Sequence, residues 1–417
     1  MLYQIYESRR ALIGQFASFS DSFSKLCQHP MLPFTYTPMA QRVSAAFDLI
    51  HRLAKDYEKP AFDIAQVDVG GIEVVVREQV AVNKPFCRLI RFKRFADDPG
   101  ALRVMKSQPT VLLVAPLSGH HASLLRDTVR SLLQDHELYI TDWIDARMVP
   151  IEEGSFGLED YVRYLQDFLR YVGPDAHVVS VCQPTVPVLA AVSLMASRGE
   201  RTPRSMTMMG GPIDARESPT QVNGVATNMG HEWFEYNLIY RVPVNYPGAG
   251  RRVYPGFLQY LGFVSMNPSR HIDSHYDYFL DLVKGDMDSA AGHREFYDEY
   301  NAVLDMPAEY YLETIKTVFQ DFALANGTWT VDGELVRPPD ITNTALLSVE
   351  GELDDISGAG QTHAVHQLCT GLSPEMRRRY DVGGAGHYGI FSGRRWREQV
   401  YPQVRAFIAR FDRASPD

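Results

Sequence analysis

The sequence predicts an α/β protein built on a mostly parallel, doubly wound sheet interrupted by an inserted, mainly helical segment. Three observations carry this. Short β-branched runs alternate with helical patterns from Thr110 onward, which is the signature of strands whose crossover helices cover both sheet faces. A long helical, aromatic-rich interval then separates a strand ending at Met209 from one beginning at Ala345. Finally, Ser180-Val181-Cys182-Gln183-Pro184 places a cysteine between an apolar strand and an alanine-rich helix.

The elements follow in order. Residues 1–60 read as an N-terminal helical segment, on which Leu2, Tyr3, Ile5, Tyr6, Leu12, Ile13, Phe16, Phe19 and Phe23 form a loose apolar face. Such a face suits packing on the body or adhesion to a hydrophobic particle. Ile72–Val82 and Phe86–Phe95, joined by Asn83-Lys84-Pro85, read as a hairpin at the sheet edge. Strands are expected at Thr110–Val114, Glu137–Asp142, His177–Val181, Ser205–Met209, Ala345–Val349 and Arg379–Val382, with helices such as Ser123–Leu133, Leu158–Tyr171 and Val186–Ser197 between them. The expected division is a core first part at 61–214, a cap at 215–342 and a core second part at 343–417. Of the cap aromatics, which include Trp233 and Tyr310, most are expected to form the cap's own core and a minority to face a channel.

Composition narrows the function classes. With 417 residues and 45% apolar residues the chain can bury a large core. A net charge of -10 argues against a nucleic-acid binder. Cys27, Cys87, Cys182 and Cys369 lie far apart, with neither paired nor metal-ligand spacing, and so read as free thiols in a reducing compartment. The first residues show neither a basic region nor an apolar signal run, and nowhere do about 18 apolar residues follow one another. The expectation is a cytoplasmic protein with no membrane span.

The cysteine is the chemical centre of the reading. A strand-to-helix corner lifts a side chain above the carboxyl edge of the sheet and turns a helix N-terminus toward it. Ser180 is small, as strand and helix nearly touch there, whereas Pro184 departs from the usual small residue; its fixed φ still lets it open a helix. A nucleophilic cysteine needs a base, and the base an orienting acid. In the α/β-hydrolase order of nucleophile, acid and histidine, Cys182 is followed by Asp354 after the strand Ala345–Val349, with Asp355 as the alternative acid, and by His387 on a glycine-rich loop. The N–H of Gln183, with N–H groups at Leu117 or Ser118 on the loop after Thr110–Val114, would bind an oxyanion. His120 and His121 on that loop, and Trp143 at the end of the next strand, are candidate substrate contacts. No metal site is expected.

Segments through most of the chain together resemble the intracellular poly(3-hydroxybutyrate) depolymerase family, which is similar to polyhydroxyalkanoate synthases. They are Glu58–Ile64, Ala115–His121, Thr141–Arg147, Ser180–Pro184, Gly210–Arg216, Val349–Asp355 and Gly386–Gly393. The resemblance implies an α/β-hydrolase fold with an inserted cap, acting on amorphous polyester in storage granules through Cys182, Asp354 and His387. The synthases hold their cysteine between glycines, a pattern from which Gln183-Pro184 departs. A synthase-like acyltransferase and a catalytically silent granule-binding protein are the alternatives. The implied partner is the granule surface; the oligomeric state, a homodimer included, stays open. No cofactor is required, but coenzyme A is open as an acyl acceptor in place of water.

Overall fold

The structure, a computed structural model, describes residues 2–27, 37–266 and 268–412. The N-terminal segment read from the sequence therefore includes residues outside the described set, as does the side chain of Leu12. Within it, α1 (Leu2–Cys27) packs on α2 (Pro38–Ala54), whose Thr37 cap accepts the N–H of Ala40. The packed face matches the apolar face expected only in part. Ala17, Ser20 and Ser24 are buried on α1, with the Ser24 and Ser44 hydroxyls 3.1 Å apart, while Ile13, Phe16 and Phe19 face outward. Small side chains let the two helix axes approach, and the bulky residues are left on the far side. Three residues of the expected face do make packing contacts: Tyr3 is buried and its hydroxyl donates to Asp305 at 2.5 Å, Tyr6 stacks on Phe257 with centroids 4.0 Å apart, and the Phe23 ring lies 4.5 Å from that of Phe47 on α2.

The sheet has nine strands. Three antiparallel strands form one edge: β1 (Gln66–Val69), β2 (Ile72–Asn83) and β3 (Cys87–Phe95). The hairpin is as expected, but the short strand β1 lies outside it and caps the edge. After α3 (Pro99–Lys106) come β4 (Thr110–Val114), α4 (Arg126–Asp135), β5 (Glu137–Trp143), α5 (Leu158–Val172), β6 (His177–Val181), α6 (Thr185–Ser197) and β7 (Ser205–Met209).

The chain then leaves the sheet. The inserted stretch contains α7 (Gln221–Asn228), α8 (His231–Leu238), α9 (Gly256–Met266), α10 (Pro268–Lys284), α11 (Met287–Tyr300) and α12 (Ala308–Thr314). It also holds a small antiparallel sheet of β8 (Tyr240–Arg241), β9 (Arg252–Tyr254) and β10 (Met306–Pro307), and a hairpin of β11 (Thr330–Val331) and β12 (Glu334–Leu335). The main sheet resumes with β13 (Ala345–Gly351), α13 (Val365–Leu368) and β14 (Arg377–Val382), followed by α14 (Gly393–Arg395) and α15 (Tyr401–Asp412).

Strand order is β1-β2-β3-β5-β4-β6-β7-β13-β14, parallel from β5 to β14. Successive residues of β4 serve opposite faces: Leu112 and Val114 pack with α5 and α6, Val111 and Leu113 with α4 and α15. Both faces are covered, so these strands read as largely apolar runs broken by few polar residues, such as Ser180 and Thr207. This is the α/β-hydrolase fold. From β4 the chain runs to β5 on one side and then crosses to β6 on the other, so the loops after β4 and β6 diverge. Between them opens the crevice where α/β sheets receive ligands.

Candidate active site

Cys182 stands at that crevice, on the first residue after β6. Its φ is +67°, a left-handed conformation that costs a non-glycine residue about 1–3 kcal/mol and persists only where neighbours enforce it. The neighbours are visible: its N–H donates to the Met209 carbonyl at 2.7 Å, and its own carbonyl accepts the N–H of Thr185 at 3.1 Å. Pro184 has a helical φ of -58° and passes directly into α6. The departure from a small residue at this position is thus absorbed by proline's preset geometry.

Gly210 and Gly211, where the chain leaves β7, make room for the corner. A Cβ on Gly211 would lie 1.8 Å from Thr185 Oγ1 and 2.5 Å from the Cys182 carbonyl oxygen. Gly210, at φ +57°, faces Ile390, His387 and Asp354. Sequence reasoning assigned this glycine pair no role; the signal was two glycines at the carboxyl end of a core strand.

Asp354 and His387 come from different loops. The N–H groups of Ile356 and Ser357 donate to Asp354 Oδ1, both at 2.9 Å, which turns Oδ2 toward His387 Nδ1 at 2.8 Å. The two loops are laced by main-chain bonds, Glu352 N–H to Val382 and Leu353 N–H to Ala385. With Nδ1 committed to the carboxylate, the other ring nitrogen serves the Cys182 sulfur, to which His387 is hydrogen-bonded. Burial opposes charge on the imidazole, yet the Cys182 and Asp354 charges beside it prevail and hold its pKa well above the usual value. Asp355 is exposed. Cys182 itself is only partly buried, whereas Cys87 and Cys369 are enclosed; burial pushes the Cys369 thiol up to about 12. The Cys27 side chain lies outside the described residues.

The loop after β4 forms the facing wall. Leu117 is buried and Ser118 half-buried. Trp143, expected as a substrate contact, is taken up by the core: its indole N–H donates to the Ala115 carbonyl at 2.8 Å and its ring stacks on Tyr161 with centroids 4.2 Å apart. It holds the base of the Leu117–Ser118 loop. His120 stacks on Phe263, and its Nε2 lies 3.1 Å from the Tyr300 carbonyl; burial lowers its pKa to about 4. His121, lowered to about 3 mainly by burial and then by Lys59, has an Nδ1 without a hydrogen-bond partner. The buried Gln183 amide is likewise unpartnered. His120 pairs with Val303, and Gly119 accepts the N–H of Leu304, so the inserted stretch is stitched across this loop. Tyr161, Tyr310 and Tyr388 are close enough for the Cys182 charge to contribute to raising their pKa values, after burial.

Arranged this way, a sulfur on a strained corner, a buried imidazole and a buried carboxylate form a relay suited to nucleophilic acyl transfer.

Solved structures similar in fold include DcsB in complex with its substrate analogue, at 12% identity, 81% coverage of this chain, 99% of that chain and a TM-score of 0.44. Haloalkane dehalogenase DbeA from Bradyrhizobium elkani is similar at 12%, 81%, 99% and 0.42. The monoacylglycerol lipase of Paleococcus ferrophilus is similar at 12%, 73%, 96% and 0.39. No curated protein matches the chain. Residues 210–412, from the glycine pair through both the Asp354 and His387 loops, match the family model described as PHB de-polymerase C-terminus.

Proposed function

We propose that this ester hydrolase cleaves amorphous poly(3-hydroxybutyrate) through a Cys182 acyl-enzyme. The observation that carries the reading is the conformation of Cys182, a non-glycine residue held at φ +67° above the sheet edge with His387 as its partner. A structural cysteine has no need of that strain.

The chemistry follows from the geometry. The Cys182 sulfur attacks the ester carbonyl and forms a tetrahedral oxyanion. The N–H of Gln183 and those of Leu117 or Ser118 receive that charge; one such donor is worth about 3 kcal/mol in the transition state. Collapse breaks the C–O bond, and His387 protonates the departing alkoxide, leaving a 3-hydroxyacyl thioester on Cys182. Asp354 keeps the imidazole oriented and compensates its positive charge. Water then releases 3-hydroxybutyrate or short oligomers; coenzyme A thiol in its place releases the acyl-CoA and conserves the thioester. His121 and the Gln183 amide, buried with unpaired polar atoms, suit the oxygens of an extended polyester chain. The inserted stretch is read as a lid hinged on its bonds to Gly119 and His120. Ile13, Phe16, Phe19 and Leu26, all exposed on α1, suit adhesion to the apolar granule surface.

The test is product analysis on amorphous granules, with and without coenzyme A, for wild type and Cys182→Ala. Hydroxybutyrate, or its CoA ester, from wild type alone is the expected result and names the acyl acceptor. Equal product from both proteins would sink the assignment of Cys182, and granule binding without product would favour a silent binding protein.

A further inference from the structure

A second cluster of titratable side chains lies beside the acid loop and plays no part in the relay. Glu350 and Asp381 are register partners on β13 and β14. His363, between these strands in sequence, lies across them, with Nε2 3.1 Å from Asp381 Oδ1 and 3.7 Å from Glu350 Oε2. One ligand atom from each of the three residues falls within 4.8 Å of the others. Glu350 and His363 are buried, while the Asp381 side chain is 77% exposed, which leaves one side open to solvent.

Hydrogen-bond direction decides what the cluster can hold. Ser348 Oγ lies 2.7 Å from His363 Nδ1 and 2.7 Å from His366 Nε2. Ser348 has one hydroxyl proton for the two rings, and when His366 Nε2 accepts it, Ser348 Oγ in turn accepts Nδ1–H of His363. In that tautomer His363 Nε2 turns a lone pair toward two carboxylates. Such an arrangement is repulsive by itself and is the donor set of a cation site: one imidazole and two carboxylates, with the imidazole oriented from behind by a hydroxyl.

We propose that Glu350, His363 and Asp381 bind one divalent cation of the manganese or zinc class, which clamps the loop carrying Asp354. Glu350 already accepts the N–H groups of Gly360 at 2.8 Å and His363 at 2.7 Å, closing the far end of that loop onto β13. A cation here ties the loop to β14 as well. The role is structural and requires nothing of Cys182, so it stands or falls separately from the proposed activity.

The test titrates chelator-treated full-length protein with Mn2+, reading the free ion by electron paramagnetic resonance and the thermal midpoint in parallel. Manganese is the probe because thiolates such as Cys182 hold it weakly. The expected result is one Mn2+ per chain, displaced by Zn2+, with a rise in melting temperature. Asp381→Asn, at an exposed position that should not disturb folding, and Ser348→Ala, which removes the orienting hydroxyl, should each weaken binding by about tenfold or more. The proposal is overturned if neither ion binds stoichiometrically, if Asp381→Asn binds Mn2+ as wild type does, or if nitrogen NMR finds the His363 ring doubly protonated at pH 7 with Mn2+ present.

Discussion

Asp354 Oδ2 lies 2.8 Å from His387 Nδ1, while Asp354 Oδ1 is held by two consecutive main-chain N–H groups. Both faces of the carboxylate are thereby committed, and the imidazole is left with one orientation. Asp354→Asn should lower kcat by about 10³- to 10⁴-fold, because the amide favours the wrong tautomer. Asp355→Asn should stay close to wild type. Steady-state kinetics on a soluble oligoester would separate the two.

The same pair sets a pH dependence. His387 is held above its usual pKa, so its charged form survives through neutral pH and is lost only at higher pH. The alkaline limb of kcat/KM should accordingly lie above pH 6.5. Asp354→Asn removes one of the raising charges and should move that limb downward; a limb that did not move would mean His387 is not the titrating group.

The strain at Cys182 can be weighed directly. Glycine adopts positive φ freely, whereas alanine bears the same penalty as cysteine. Cys182→Gly should be more stable than Cys182→Ala by about 1 kcal/mol in urea unfolding, with both inactive. Equal stability would show that the corner is not strained.

Gly211→Ala should destabilise by about 1–3 kcal/mol, since the new methyl meets both the Thr185 hydroxyl and the Cys182 carbonyl. Adding Thr185→Ala should recover only part of the loss, because the carbonyl cannot move without moving the corner. Chemical denaturation of the single and double variants measures the difference.

His120 and His121 are neutral in the fold, with pKa values lowered to about 4 and about 3. The unfolded chain takes up protons near pH 6.5. Stability should therefore fall as pH drops from about 6.5 toward 4, and level off once the folded state titrates too. His121→Gln should flatten that slope in melting curves recorded from pH 7 to 4.

Much of the fold was legible in the residues. The strands Thr110–Val114, His177–Val181 and Ser205–Met209 lie where the β-branched and apolar runs end. A strand buried on both faces has no solvent-facing side to dilute its apolar run, so its limits stay sharp. The strand expected at Arg379–Val382 instead begins at Arg377, since an exposed edge carries arginines that carry no periodic signal. The N-terminal helix showed the reverse failure. Its large apolar residues point to a packed face, yet Ala17, Ser20 and Ser24 are buried there beside Phe23, which packs on Phe47, while Ile13, Phe16 and Phe19 stay exposed. Strand β1 went unread, being only four residues long.

The sequence by itself determined the order of elements, the corner bearing Cys182 and the two loops bearing Asp354 and His387, because each is a local pattern of residue size, branching and glycine placement. Tertiary structure alone decided that Asp354 rather than Asp355 faces the imidazole, that Trp143 serves the core, and that Glu350, His363 and Asp381 converge. Those outcomes depend on which side chains meet across strands and loops far apart in the chain, and on where each proton must go once they have met.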